Sequence, residues 1–257
     1  MNLDLAGRVV VVSGSSRGIG RGIAEALLRE DALCVLNGRG ADQLEVTRRE
    51  LEARFPDRVR AVAGDVGEPE TMRRLLSETL DNWGAIDGVV ANAGALKPVP
   101  EVDIAGDDWD WYWHHNFIPA ACLAQACVPA LTRSKGAIVI VGSIAGKEDF
   151  GAPLPYQSAK AALAMYGKSL SRRLAPSQIR VNVVSPGNIL FPDGNWDRRQ
   201  ASDPEAVASM LADKVPLRVL GRPEDVAAIV VFLLSGKAQF ITGANIVVDG
   251  GQTVAAS

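Results

Sequence analysis

The sequence predicts an α/β fold in which helices cover both faces of a doubly wound parallel sheet. Short runs rich in Val and Ile are apolar at successive positions, which is typical of strands that are buried on both faces. Longer amphipathic segments separate these runs, and a regular alternation of β and α elements indicates a parallel sheet. Because no linker, repeat or low-complexity tract divides the chain, we expect a single domain over residues 1–257.

Seven strands and six helices follow from this pattern in chain order. Proline opens two of the helices, where its missing N–H costs nothing. The predicted strands are Arg8–Ser13, Leu33–Asn37, Val59–Ala63, Ile86–Ala91, Ala137–Val141, Ile179–Val184 and Ile246–Val248. The predicted helices are Ile19–Arg29, Ala41–Arg54, Pro69–Asp81, Asp107–Leu131, Tyr156–Leu174 and Pro223–Leu234.

The segment 187–204 shows no clean periodicity and contains Pro192, Asp193, Gly194, Asn195 and Trp196. A long irregular loop inside a compact domain is usually functional. We therefore expect this segment to be an irregular loop beside the substrate.

Composition and charge exclude several classes of protein. A hydrophobic content of 47% and a charged content of 22% are typical of soluble proteins. The net charge of −3 argues against a general electrostatic grip on nucleic acid. We expect no membrane span and no secretory signal, because no apolar run approaches the ~20 residues that a bilayer needs.

The cysteines Cys34, Cys122 and Cys127 lack the spacing of a zinc or redox site. They are predicted to be buried thiols in a reducing compartment, and hence in a cytoplasmic protein that binds no metal.

A glycine-rich turn follows the first predicted strand and leads into the first helix. Gly14, Gly18 and Gly20 form a G-x-x-x-G-x-G pattern in this strand-to-helix context. Glycine lets the backbone approach a ligand closely, and a helix N-terminus offers free N–H groups to a phosphate. The turn is predicted to bind the pyrophosphate of a dinucleotide, with a ligand-free tight connection as the alternative.

The tip of the second strand indicates the choice of cofactor. Dinucleotide folds that select NAD usually place an acid there to bond the ribose 2′-hydroxyl. Here the strand ends in Asn37-Gly38-Arg39, and Asp42 lies later, in the next helix. Arg39, helped by Arg17, offers guanidinium groups to a 2′-phosphate, so NADPH is predicted over NADH. Alternatively, both arginines are solvated surface charges.

The most informative pair of side chains is Tyr156 and Lys160, with Ser143 thirteen residues before the tyrosine. Residues four apart share one face of a helix, so the phenol and the ammonium are expected to lie together. A nearby ammonium lowers the pKa of a phenol, which would prepare Tyr156 for proton transfer near neutral pH. The Tyr-x-x-x-Lys spacing alone is a weak signal, and its weight comes from the other motifs.

Taken together, these motifs resemble the short-chain dehydrogenase/reductase family over nearly the whole length of the chain. The overall likeness is greatest to 3-oxoacyl-[acyl-carrier-protein] reductase-like members. The resemblance rests on Ser13–Gly20, Asp65-Val66, Asn92-Ala93-Gly94, Asn116, Ser143, Tyr156 with Lys160, Pro186-Gly187, Gly221–Val226, Thr242-Gly243 and Val248–Gly251.

The resemblance implies a Rossmann-type domain with seven parallel strands, assembled as a homotetramer, and it implies the cofactor contacts. Those expected at the pyrophosphate are Gly14, Ser16, Arg17, Gly18, Ile19 and Gly20. Those expected along the rest of the dinucleotide are Asn37, Arg39, Asp65, Val66, Asn92, Ala93, Gly94, Tyr156, Lys160, Pro186, Gly187 and Ile189.

The implied reaction is hydride transfer between nicotinamide and a small carbonyl or secondary alcohol, including a 3-oxoacyl thioester. Tyr156 is expected to act as general acid and base, Lys160 to lower its pKa and bond the nicotinamide ribose, and Ser143 to orient the substrate oxygen. Asn116 is expected to hold a water that links Lys160 to solvent. The alternative is a sensor or scaffold that binds NADP(H) on the same fold without catalysis.

One position departs from the family pattern. Phe191 stands where many members carry a Thr that holds the nicotinamide carboxamide, which leaves backbone groups or Asn188 as substitutes. Trp196 is a candidate for touching the substrate.

Other polar and aromatic residues have less specific interpretations. His114 and His115 point about 100° apart on a helix and are not expected to bind a metal together; one of them could face the interior or a subunit contact. Trp109, Trp111 and Trp113 suggest packing or an interface. A docking patch for an acidic carrier protein would use Arg133, Lys135, Arg172 and Arg173, which are otherwise solvated helix ends.

Overall fold

The computed structural model describes residues 2–255, in which seven parallel strands form one sheet with the order β3-β2-β1-β4-β5-β6-β7. The predicted fold class is confirmed. The strands are β1 (Val9–Val12), β2 (Leu33–Gly38), β3 (Val59–Ala63), β4 (Gly88–Ala91), β5 (Ala137–Val141), β6 (Arg180–Pro186) and β7 (Asn245–Val248). The helices are α1 (Gly18–Arg29), α2 (Ala41–Arg54), α3 (Pro69–Trp83), α4 (Gly106–Asn116), α5 (Ile118–Ser134), α6 (Leu154–Leu174), α7 (Asn195–Ser202), α8 (Pro204–Lys214) and α9 (Pro223–Leu234).

Both faces of the sheet are covered, as the continuous apolar runs predict. Along β1, Val10 and Val12 pack into a cluster with α1, α2 and α9, whereas Val11 packs into the opposite cluster with α3, α5 and α6. Successive side chains of a strand point to opposite faces, so a strand with no polar face must be covered on both.

The predicted helix over 107–131 is wrong in one respect, because the chain breaks it into α4 and α5 at Phe117. Pro119 lies in the first turn of α5 and has no N–H to donate to the carbonyl of His115, so the helical ladder is interrupted. Asn116 is therefore the last residue of α4, and not a mid-helix residue as predicted.

The expectation of an irregular loop over 187–204 is also wrong in part. Residues 187–194 lack regular structure apart from an isolated bridge between Ile189 and Gly221, but α7 and the start of α8 follow. α7 fully buries no side chain and is only 8 residues long, which is too short to establish a helical period. α8 begins with Asp203 capping the N–H of Ala206 and with Pro204 in its first turn, a signal that was present in the sequence.

No described helix has both the length and the apolar character needed to cross a membrane. The three cysteines are free thiols; Cys34 and Cys127 are buried, and Cys122 is half-buried.

A close contact between backbones places α6 against the turn after β5. A Cβ built on Gly146 would lie 2.6 Å from the carbonyl carbon of Lys160 and 2.7 Å from the amide nitrogen of Ala161. Only a residue without a side chain lets the two segments approach this closely. This contact brings the start of α6 next to the residues that follow β5.

We expect Gly146→Ala to push α6 away from this turn, because the new methyl group would meet backbone atoms that have no alternative rotamer. The variant should lose about 1–3 kcal/mol of unfolding free energy, measured by urea denaturation. Gly106→Ala is the matched control, since a Cβ on Gly106 meets nothing within 4 Å. Equal stability of the two variants would contradict this account of the packing.

Candidate active site

A tyrosine, a lysine and a serine meet where β5 ends. Ser143 follows the last residue of β5 by two positions, and Tyr156 and Lys160 lie one turn apart in α6. Lys160 is 4% exposed, and its Nζ donates to the carbonyl of Val141 at 3.1 Å. The same ammonium lies 5.7 Å from the centroid of the Tyr156 ring. The predicted proximity of phenol and ammonium is therefore present in the structure.

The pKa of Tyr156 does not shift in the predicted direction. Burial of the phenol raises its pKa, and the nearby Tyr112 adds to that effect, while hydrogen bonding with Ser143 lowers it. The expectation that Lys160 lowers the pKa of Tyr156 is therefore wrong. The ammonium is directed to the Val141 carbonyl. Burial also disfavours the charged lysine and lowers the pKa of Lys160 to about 8.

Asn116 is buried, and most hydrogen bonds that its carboxamide can form are made with backbone groups. Its Nδ2 donates to the carbonyls of Ala95 at 3.0 Å and Tyr112 at 3.1 Å, and its Oδ1 accepts from the N–H of Ala95 at 3.1 Å. One lone pair of Oδ1 remains for a water. A Cβ built on Gly94 would lie 3.1 Å from Oδ1 of Asn116 and 3.5 Å from Nζ of Lys160, so both polar groups border that glycine.

Tyr112 belongs to this group of side chains and was missed by the sequence analysis. Its ring is fully buried and meets the Tyr156 ring edge-on at a centroid distance of 6.3 Å. Its hydroxyl donates to the carbonyl of Lys97 and accepts from the N–H of the same residue at 3.1 Å. Its place one turn before Asn116 was the only available signal, and that spacing is common.

A cleft of about 950 Å³ lies along the carboxyl edge of the sheet and borders this group at Gly94, whereas Tyr156, Lys160 and Ser143 themselves do not line it. The predicted cofactor contacts that line it are Gly14, Ser16, Arg17, Gly18, Asn37, Arg39, Asp65, Val66, Ala93 and Gly94. Gly14 and Gly18 have φ of +63° and +57°, a conformation that favours glycine and opens the start of α1 to the cleft. This opening is a cradle that fits a pyrophosphate at a helix N-terminus.

Several predicted contacts support the turn and do not line the cleft. Nδ2 of Asn92 donates to the carbonyls of Ser13 and Gly14 at 3.0 Å each. A Cβ on Gly20 would lie 2.3 Å from the Gly14 carbonyl oxygen, so this glycine permits close packing of α1. Ile19 packs against the core below the turn. These residues are predicted from the sequence to contact the ligand, and in the structure they make contacts within the protein.

The segment after β6 is also divided. Ile189 is buried and borders a second cavity of about 300 Å³ with Asn188, and Gly187 packs against Asp249. Pro186 closes β6 and is buried. The structure therefore does not bring residues 186–189 to the main cleft. Asn188, the suggested substitute for the missing Thr, directs its Nδ2 to the sulfur of Met210 at 3.6 Å.

Phe191 lies over the glycine-rich turn and lines the cleft. A Cβ on Gly18 would lie 2.8 Å from the Phe191 ring, and the side chain of Arg17 donates to the carbonyl of Asp193 at 3.3 Å. The loop after β6 is thus joined to the start of α1, a long-range contact that no local pattern predicts.

Arg39 fits a phosphate at the far end of the cleft. Its side chain is exposed, and within residues 2–255 its guanidinium makes no hydrogen bond or ion pair. Asp42 is exposed in the first turn of α2 and does not line the cleft. Asp65 lines the cleft and also accepts from the N–H of Gly67 at 2.8 Å.

The other candidates are placed as follows. Trp196 lies in α7, half-buried beneath the guanidinium of Arg199, and does not line the cleft. Trp111 stacks on His115, and Trp113 packs edge-on against Phe117. In the part of the chain that the structure describes, no group of three or more His, Cys, Asp or Glu side chains could hold a metal ion.

The basic residues considered for carrier docking lie at the amino edge of the sheet, opposite to Ser143. Arg133 and Lys135 end α5 just before β5 begins, and Arg172 and Arg173 end α6 just before β6 begins. Helices that enter the next strand end at the amino edge, whereas Ser143 follows the carboxyl end of β5.

The comparisons with known proteins agree with this geometry. A family model described as "Enoyl-(Acyl carrier protein) reductase" matches residues 14–253. The chain is 33% identical over 255 residues to an L-fucose dehydrogenase of Bos taurus, with 98% of this chain and 91% of that protein covered. It is 34% identical over 252 residues to dehydrogenase/reductase SDR family member 4 of Oryctolagus cuniculus, covering 96% of this chain and 94% of that one.

The chain belongs to the short-chain dehydrogenase/reductase family. Among solved structures, L-sorbose reductase from Gluconobacter frateurii, complexed with NADPH and L-sorbose, superposes with a TM-score of 0.92 at 32% identity. That superposition covers 99% of this chain and all of the other, so the fold of this short-chain dehydrogenase/reductase is shared along its whole described length.

The burial of Lys160 in this dehydrogenase/reductase makes its stability depend on pH. The folded pKa of about 8 lies below the ordinary value of 10.5, so between these values the unfolded chain binds more protons. Stability therefore rises with pH through this window. Between about pH 7.5 and pH 10, we expect the unfolding free energy of the wild type to rise by about 2 kcal/mol relative to that of Lys160→Met.

The measurement is urea denaturation of both proteins across that pH range. Lys168→Met is the matched control, because Lys168 is an exposed lysine of the same helix that also donates to a backbone carbonyl, that of Gly243 at 3.0 Å. The difference in unfolding free energy between wild type and this control should not change with pH. A flat difference for Lys160→Met as well would show that burial of its ammonium is not penalised.

Proposed function

We propose that this protein is an NADP-dependent oxidoreductase that interconverts a carbonyl group and a secondary alcohol, with NADPH preferred over NADH. The observation that carries the proposal is the buried Lys160 beside Tyr156 and Ser143, because its ammonium borders Gly94, which lines the same cleft as the glycine turn and Arg39. The related L-sorbose reductase is complexed with NADPH, which supports the same cofactor here.

The dinucleotide fits the residues of the cleft from end to end. Gly14 and Gly18 would hold its pyrophosphate, Asp65 and Val66 its adenine, and Gly94 the ribose next to the nicotinamide. The bound nicotinamide supplies a hydride to the carbonyl carbon, or accepts one from the alcohol in the reverse direction.

The protein's own side chains would move the proton. In the reductive direction, Tyr156 donates its phenolic proton to the substrate oxygen as negative charge develops there. Ser143 donates a second hydrogen bond to the same oxygen and fixes its position, an arrangement like an oxyanion hole. Because burial raises the pKa of Tyr156, the phenol is protonated at neutral pH and ready to act as an acid.

Lys160 would complete the exchange of protons. The lowered pKa of its buried ammonium, about 8, lets it give up a proton near physiological pH. Asn116 borders Gly94 as Lys160 does, and its free lone pair could hold a water that connects the lysine to solvent.

For the substrate, we favour a small polyhydroxylated carbonyl or alcohol. The relatives named above are an L-fucose dehydrogenase and an L-sorbose reductase, which supports a sugar or polyol. A 3-oxoacyl thioester is the second candidate, favoured by the name of the matching family model. Against a carrier-bound thioester, the basic helix ends lie at the edge of the sheet opposite to Ser143.

The assembly and compartment are proposed by analogy and from the surface. We infer a homotetramer, which would cover the exposed apolar side chains of Met165, Leu217 and Phe240. The free thiols of Cys34, Cys122 and Cys127 support a reducing, cytoplasmic environment.

The decisive experiment is a screen that follows the absorbance of the reduced nicotinamide with sugars, polyols, ketones and a 3-oxoacyl thioester. On any accepted substrate, Tyr156→Phe should lose about a hundredfold or more in kcat, because the proton donor is gone, while NADPH binding persists. Near-normal turnover by the variant would remove Tyr156 from the chemistry. Binding of NADPH without turnover of any compound by the wild type would favour a sensor or scaffold.

Arg39→Asp tests the choice of cofactor. An acid at this position would repel a 2′-phosphate and accept a hydrogen bond from a 2′-hydroxyl, so the preference should move from NADPH toward NADH. The measurement is the ratio of kcat/KM for the two cofactors. Arg133→Asp makes the same charge change at the opposite edge of the sheet and should leave the ratio unaltered. An unchanged ratio in Arg39→Asp would contradict the preference for NADPH.

A further inference from the structure

We propose that His115 is a cofactor-binding residue that accepts a hydrogen bond from the adenosine part of the dinucleotide through its Nε2. The inference rests on the proposed function, because it assigns a further contact within the same cleft. His115 lines that cleft together with Asp65, Val66 and Gly94.

The neighbours of His115 place it between two parts of the proposed dinucleotide site. The next residue, Asn116, borders Gly94, since a Cβ on that glycine would lie 3.1 Å from its Oδ1. Ile118, three residues after His115, borders the turn after β3, because a Cβ on Gly67 would lie 3.8 Å from its Cγ2. The same Cβ would lie 3.1 Å from Oδ1 of Asp65. His115 therefore faces the cleft between the nicotinamide ribose proposed at Gly94 and the adenine proposed at Asp65.

The hydrogen bond on the other ring nitrogen decides which chemistry His115 offers. Its Nδ1 lies 2.7 Å from the backbone carbonyl oxygen of Trp111. A carbonyl oxygen only accepts, so Nδ1 must carry the proton, and Nε2 of the neutral ring is an acceptor. Within residues 2–255, no protein group bonds to Nε2.

The ring is also held in place by stacking. The rings of His115 and Trp111 are stacked at a centroid distance of 4.0 Å with an interplanar angle of 20°. The ammonium of Lys97 lies 4.8 Å from the centroid of the Trp111 ring and forms an ion pair with Asp108. A side chain fixed by both a hydrogen bond and a stacking partner loses little further freedom when a ligand binds.

An acceptor directed at adenosine can receive a hydrogen bond from the exocyclic amine of adenine or from a ribose hydroxyl. Both are neutral donors, and one such bond changes affinity by about threefold to tenfold. The expected contribution is therefore modest and belongs to the adenosine half alone.

The experiment measures dissociation constants of the full chain by calorimetry, without turnover. The probes are NADPH, adenosine 2′,5′-bisphosphate for one half of the cofactor, and reduced nicotinamide mononucleotide for the other. His115→Phe keeps an aromatic ring against Trp111 and removes the acceptor. It should weaken NADPH and the bisphosphate by about threefold to tenfold and leave the mononucleotide unchanged. His115→Gln, which returns an acceptor at similar reach, should recover most of the loss.

His114→Phe is the matched control. His114 makes the same bond one turn back along the helix, from Nδ1 to the carbonyl of Asp110 at 2.8 Å, but it is exposed and does not line the cleft. It should leave all three dissociation constants at wild-type values. Wild-type affinity of His115→Phe for the bisphosphate would overturn the proposal, and so would an equal loss in both phenylalanine variants.

A second titration distinguishes the two donors. In a dinucleotide with hypoxanthine in place of adenine, the amine is absent. If the amine is the donor, wild type binds this dinucleotide more weakly than NADPH, whereas His115→Phe shows no such loss. If a ribose hydroxyl is the donor, the change of base affects both proteins equally. Failure of the wild type to bind NADPH at all would overturn the proposed function as well, whereas failure confined to the His115 variants would leave that function standing.

Discussion

The burial of one ammonium group, that of Lys160, is the constraint on which the site depends. Removing a charge from water is costly, and within the described residues the only hydrogen bond that offsets this cost is the one to the carbonyl of Val141 at 3.1 Å. The lysine is held there because α6 lies against Gly146 without an intervening side chain. The same packing brings Tyr156 to Ser143, so the arrangement of these two side chains and the lowered pKa of the lysine have a common origin.

Parallel strands account for the length of the cleft. The carboxyl ends of β1, β4 and β5 lie side by side in the sheet, so the turns that follow them share one edge. Hydrogen bonds join these turns: the hydroxyl of Ser13 accepts from the N–H groups of Asn92 and Ala93, at 3.0 Å and 3.1 Å. A single helix, α4, then serves both ends of the site. Tyr112 packs against Tyr156, and His115 faces the proposed adenosine region.

The departures from the predicted structure have local physical causes. The predicted helix over 107–131 is two helices that meet at Phe117, where Pro119 lacks the N–H that would continue the ladder. α7 is 8 residues long and buries no side chain in the core, so it is too short for a helical period to be recognised in the sequence. The pKa of Tyr156 is raised because burial outweighs the hydrogen bond with Ser143, a balance that spacing along a helix does not contain.

The sequence by itself determined the class of fold, the order of the strands along the chain and the identity of the Tyr156–Lys160 pair. These features depend on local periodicity, turn chemistry and spacing, which are properties of neighbouring residues. The tertiary structure alone decided that Asn92 holds the glycine-rich turn, that Phe191 covers Gly18, and that Ile189 packs away from the cleft. It also placed His115 on the wall of the cleft. Each of these contacts joins segments far apart in the chain, and their positions follow from how helices and loops pack on the sheet, which no local pattern records.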